Sequence, residues 1–197
     1  MWVKNGLYSS YYKNGLKRSE GEYVNGKQVG FWNCWYENGS PLNEGNYGDD
    51  GLEIGEWKFY YPSGKLQQID HFKLGRHNGE FIDYHENWNI KRKGNNLKDT
   101  LNCRDQAFWA NGFLSADRTY KNGSICGQFK EFTSKGKMIL SGNRDDAGPI
   151  GYIFLHDTIT GDTLEKSIIR WGILSDTSII YENNRPSKTT IYAKWNL

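Results

Sequence analysis

Short apolar runs built from aromatic and β-branched residues recur from residue 6 to about residue 160, separated by Asn-Gly, Ser-Gly, Lys-Gly and related pairs. Within the runs apolar and polar positions alternate with the period of a half-buried strand, and no segment sustains helical spacing. Turn dipeptides between short alternating runs are the strongest local signal for β-hairpins. Residues 30–39, GFWNCWYENG, and 55–64, GEWKFYYPSG, are two clear examples.

The runs keep a fixed step. The residue that opens each aromatic cluster is Gly6, Gly30, Gly55, Gly79, Cys103, Gly127 and Gly151, at steps of 24, 25, 24, 24, 24 and 24 residues. A constant period in this range marks a repeat architecture. Each unit holds two short strands and two tight turns, so each is expected to be one hairpin. A single hairpin buries too little to stand alone, but stacked hairpins cover one another. The predicted fold is therefore all-β: an elongated antiparallel meander of about seven 24-residue hairpin repeats over residues 1–165, with an irregular C-terminal cap, 166–197, in the same domain. In the cap, TSIIY and TTIYAKW read as one more hairpin across the longer loop ENNRPSK.

Counting each unit from its opening residue, position six is Tyr11, Trp35, Tyr60, Tyr84, Phe108, Phe132 and His156, which predicts a structural aromatic row. Position three is Tyr8, Trp32, Trp57, Phe81, Asp105, Phe129 and Ile153. Three and six have opposite parity, so either both faces of the sheet carry rings or a bulge intervenes. Position seven is Tyr12, Tyr36, Tyr61, His85 and Trp109 before it turns polar at Thr133 and Asp157. That row reads first as packing, which repetition demands, and second as a graded contact surface; it is the candidate partner-binding site. With three valines in the chain, the rings must supply most of the buried area, at about 150–250 Å² each.

Composition narrows the function. The formal charge is +2, from 25 basic and 23 acidic residues mixed along the chain, and the densest basic run is Lys91-Arg92-Lys93. Nothing in that balance points to nucleic acid. No apolar run reaches the ~20 residues of a membrane-spanning helix, and MWVKNGLYSS lacks the apolar core of a secretory signal. Cys34, Cys103 and Cys126 form no CxxC pair and leave one thiol over. Free thiols in a reducing, cytoplasmic setting are expected, a leader processed from a longer precursor being the alternative.

Units such as GFWNCWYENGSPLNEGNY and GEWKFYYPSGKLQQIDHF resemble the variant class of MORN (membrane occupation and recognition nexus) repeats: Gly, a polar residue, Trp, Tyr-Tyr, Asn-Gly-Lys, then Gly-x-Tyr-x-Asn-Gly. The resemblance covers about residues 6–150, is best in the second and third units, and departs at Trp88, Cys103 and Asp105. It implies a sheet of hairpins that binds something and no catalytic residues. Some bacterial members of the variant class are described as antitoxin-like or immunity-like, and eukaryotic arrays are associated with membranes, lipids and scaffolding.

Candidate chemistry is sparse. His71 and His85 are placed on adjacent strands with Asp83 near His85, a set from which a metal site or an acid–base pair could be drawn. His85 reads first as a replacement in the row of Tyr36 and Tyr61. No catalytic or nucleotide-binding motif is present. The expectation is a non-catalytic protein-interaction module, of immunity, antitoxin or adaptor type, with no metal or cofactor. The alternative is an aromatic array for a glycan, choline or lipid headgroup.

Overall fold

The computed structural model describes residues 2–144, 150–170, 173–182 and 185–191. Among these residues the chain is all-β, with eighteen strands that pair antiparallel as a hairpin meander. It divides into two units, Met1–Thr100 and Leu101–Leu197.

The first unit contains β1 (Gly6–Tyr11), β2 (Lys17–Val24), β3 (Lys27–Trp35), β4 (Pro41–Tyr47), β5 (Glu53–Tyr60), β6 (Leu66–Lys73), the short β7 (Arg76–His77), β8 (Gly79–Tyr84) and β9 (Ile90–Leu97). From β1 to β7 each strand pairs with the one that follows it; β6 also pairs with β8, and β8 with β9. After β10 (Thr100–Leu101), the second unit continues through β11 (Cys103–Phe108), β12 (Leu114–Lys121), β13 (Ser124–Phe132), β14 (Met138–Arg144), β15 (Ile150–His156), β16 (Thr163–Arg170), β17 (Ile173–Glu182) and β18 (Arg185–Ile191). From β11 onward these strands also pair in sequence order.

Two kinds of turn alternate. The strand carrying positions one to six ends in a tight turn in which Tyr12 N donates to Leu16 O, closed by Gly15 at φ +84°; Tyr36 with Gly39 and Tyr61 with Gly64 repeat it. The return connection uses two left-handed residues in succession, Asn25-Gly26, Leu74-Gly75 and Asn122-Gly123, the mirror-image turn that matches strand twist. Between β4 and β5 the longer Gly48–Gly51 turn replaces it, which accounts for the one step of 25 residues.

Each unit carries a bulge at the step between positions five and six. Cys34 faces Asn43 while Trp35 faces Pro41, so Leu42 is the extra residue, and it belongs to the partner strand. The parity of the first strand survives, and both faces of the sheet carry rings. A second irregularity surrounds the opening residue: Gly30, Gly55, Cys103 and Gly127 all sit at φ between +66° and +70°. The register there slips, Glu20 facing Asn33 and Glu22 facing Val29.

In the expected cap, β17 does pair with β18, but Arg185 to Lys188 lie inside β18, so the connection is shorter than the loop read from ENNRPSK. Residues 192–197 fall outside the described residues, and residue 165, where the period fades, lies within β16.

Candidate functional site

The first unit is built on two faces with different jobs. Position three supplies the core: Trp32, Trp57 and Phe81 are 2–5 % exposed. Their rings join those of the returning strands in one file. The successive centroids of Tyr8, Tyr23, Trp32, Tyr47, Trp57, Phe72 and His77 are 5.2, 5.1, 6.3, 5.0, 6.1 and 4.4 Å apart, mostly edge to face. Each indole lies on a glycine. A Cβ at Gly21 would come within 2.2 Å of the Trp32 ring, and one at Gly45 within 2.1 Å of Trp57. The sequence reading singled out position three but not the Tyr23, Tyr47 and Phe72 that complete the file. The signal for them was the residue two places after each Glu-Gly or its substitute.

Position seven forms a ladder. Tyr12 Oη donates to Trp35 O at 2.7 Å, Tyr36 Oη to Tyr60 O at 2.9 Å, and Tyr61 Oη to Tyr84 O at 2.7 Å. In the second unit Trp109 Nε1 donates to Phe132 O at 3.1 Å. A parallel ladder runs through the turn asparagines, Asn14 to Glu37 O, Asn38 to Pro62 O and Asn111 to Ser134 O, at 2.7–2.9 Å. The other atom of each amide accepts from the backbone two residues on. Thus the Asn of Asn-Gly both shapes its own turn and ties it to the next. The His85 main-chain N–H closes the equivalent turn on Asn89 O. Hydroxyls of this row are committed to backbone, so ring faces are what it can offer a partner.

Position six lies on the opposite face. Tyr11 is 60 % exposed, while Trp35, Tyr60 and Tyr84 are half-buried. Lys17 pairs with Glu20 and holds its ammonium 5.5 Å from the Trp35 ring centroid. Tyr60 Oη donates to Glu44 Oε1 at 2.8 Å; burial, and then that carboxylate, push the Tyr60 phenol up to about 12. On the same face a cleft of about 340 Å³ is lined by Leu7, Ser9, Glu20, Glu22, Val29 and Phe31, among others. Leu7 is 93 % exposed and Phe31 52 %.

His71 lies on β6 and His85 directly follows β8, which pairs with β6. His71 Nδ1 lies 2.8 Å from Glu80 O. A carboxylate the sequence did not single out, Asp70, lies 3.4 Å from His77 Nδ1, with Gln68 Nε2 donating to it at 2.8 Å. Asp70 is buried opposite Trp57, at the place Gly21 and Gly45 take in earlier repeats. Burial pushes its carboxyl up, and His77 and His71 pull it back down. The aligned repeats held the clue, a carboxylate where glycine recurs. Among the described residues no group of three or more His, Cys, Asp or Glu is placed to hold a metal ion. In the second unit polar groups replace part of the ring file: buried Asp105 faces Arg118, which pairs with Glu131 at 2.6 Å; on the opposite face Arg104 pairs with Asp117.

Residues 53–74, the hairpin of β5 and β6, match the family model of the MORN repeat variant. The chain therefore carries a MORN repeat variant, the family whose pattern its units resemble. No curated protein matches the chain.

Proposed function

We propose that this chain is a non-catalytic protein-interaction module that engages its partner through the position-six face of the first unit. The observation that supports it is a solvent-facing apolar surface that packing does not require. Leu7, Tyr11 and Phe31 are 52–93 % exposed on one side of β1 and β3, while the other side already holds the buried ring file. Large apolar side chains clustered on an open face mark interaction sites. The rings of Tyr12, Tyr36, Tyr61, His85 and Trp109 stay candidates for contact through their faces, and an adaptor or immunity-type protein would use such a surface. The test is affinity capture of partners from the native cell by the tagged chain, with Leu7→Ser/Phe31→Ser beside it. Loss of one stoichiometric protein from the folded variant supports the reading. Identical proteins captured by both chains would count against this face.

A second reading, an array for organic cations, rests on Lys4, whose ammonium lies 4.4 Å from the Tyr8 centroid and 4.8 Å from that of Tyr23. A notch that holds an ammonium of the chain could hold a soluble one. Titration of Lys4→Ala with tetramethylammonium, followed by tyrosine fluorescence, tests it; an unresponsive signal removes it.

A further inference from the structure

Position two of the repeat is exposed in all six units whose side chains are described: Leu7, Phe31, Glu56, Glu80, Arg104 and Gln128. Packing therefore leaves this position free, yet the first two units fill it with large apolar residues. The register sets carboxylates around them. Leu7 faces Glu22, which faces Val29 on the next strand; Glu20 and Glu44 both face Asn33. Glu56 lies on the same side, paired with Lys58 at 3.3 Å. Glu20 has Lys17, but neither Glu22 nor Glu44 has a Lys or Arg within ion-pair distance among the described residues.

Lys17 shows how this face holds a cation, with its ammonium between the Glu20 carboxylate and the Trp35 ring. One repeat later the carboxylate and the ring recur as Glu44 and Tyr60, 2.8 Å apart, but Pro41 stands where Lys17 stood. The arrangement is repeated without the Lys17 ammonium; Lys58 faces Glu44 across the strands but pairs with Glu56. We infer that the face formed by β1 to β5 docks a basic segment of a partner protein, in which Lys or Arg side chains reach Glu22 and Glu44 and an apolar side chain lies on Leu7 and Phe31. This deepens the interaction reading and rests on it. Carboxylates in these places repel phosphate, so nucleic acid and anionic lipid are poor occupants.

The test is selection of random short peptides on the intact chain. The recovered peptides are then titrated against wild type, E22Q/E44Q and F31S, each shown by circular dichroism to be folded. The expected result is enrichment of Lys or Arg beside apolar residues, binding that weakens as salt is added, and a loss of roughly three- to tenfold in E22Q/E44Q. Peptides that are neutral or acidic, or indifferent to E22Q/E44Q, overturn the basic-partner inference and leave the interaction reading standing. Recovery of no peptide overturns it too, and the interaction reading is then decided by the Leu7→Ser/Phe31→Ser capture. Binding to phosphatidylserine vesicles that Phe31→Ser abolishes would overturn it in favour of a lipid.

Discussion

Replacing Cys103 with glycine is expected to stabilise the chain. Cys103 holds φ +69°, the conformation of Gly30 at +66°, Gly55 at +70° and Gly127 at +70°. At those three glycines an added Cβ would meet nothing within 4 Å, so the backbone angle, and not space, selects glycine there. Holding an ordinary residue in the left-handed region costs ~1–2 kcal/mol. Glycine removes that cost and returns ~0.4–1 kcal/mol as extra freedom of the unfolded chain. The side chain loses little, being exposed with Sγ 3.7 Å from the Asn102 amide nitrogen. The net expectation is a gain of about 0.5–1 kcal/mol, read as the urea midpoint under reducing conditions by far-ultraviolet circular dichroism. Cys103→Ala keeps the Cβ and the strain, and its change is expected to stay within about 0.5 kcal/mol. If alanine matched glycine, or glycine lowered the midpoint, the assignment of the opening residue to a conformational role would be wrong. Gly127→Ala is the converse, with an expected loss of about 1 kcal/mol.

Other predictions probe contacts of different kinds. Gly45→Ala would drive a methyl into the buried Trp57 ring; a loss of about 2–3 kcal/mol and a changed near-ultraviolet dichroism are expected, and wild-type behaviour would contradict the indole-on-glycine packing. Tyr36→Phe removes the donor to Tyr60 O; about 1–2 kcal/mol should be lost in urea, and an unchanged midpoint would mean that water satisfies that carbonyl. The Arg104 guanidinium holds the Asp117 carboxyl below its ordinary 3.8. Its folded value being depressed, the stability it contributes is present above the unfolded value and is lost as pH falls through the folded one. Asp117→Asn is therefore expected to be less stable than wild type at neutral pH and to converge with it in acid; a gap that persists at low pH would refute the pairing.

The period, the hairpins and the turn positions were legible because each is enforced by local chemistry repeated along the chain. Asn-Gly and its substitutes can be read one turn at a time, and the odd 25-residue step announces the longer Gly48–Gly51 turn. What alternation could not supply was the use of each face. In the first four repeats positions three and six are both aromatic, yet Trp32 and Trp57 are buried against glycine while position six is half-buried or exposed, a difference set by Gly21 and Gly45 on neighbouring strands. Nor could it show that the tyrosines of position seven spend their hydroxyls on the next hairpin, since Tyr is chosen for that bond and for exposed contact alike. The buried Asp70 with His77 was hidden for a further reason: His77 enters through the short β7, a local departure from the repeat.

Repetition therefore reports packing, and function has to be sought where the repeat is unconstrained. A residue that recurs at one position in unit after unit is explained by its neighbours in the stack, as Trp32 and Trp57 are by Gly21 and Gly45. A position that drifts through Leu, Phe, Glu, Glu, Arg and Gln while staying exposed is explained by no neighbour. At such a position an apolar side chain costs solubility and contributes nothing to the fold, so Leu7 and Phe31 stand out against Glu56 and Glu80 by the absence of a structural reason. That asymmetry has a measurable consequence. Leu7→Ser and Phe31→Ser are each expected to leave the urea midpoint within about 0.5 kcal/mol of wild type while weakening whatever the chain binds. A loss of stability comparable to that of Gly45→Ala would show that these two side chains are packed in solution, and would return the face to the core.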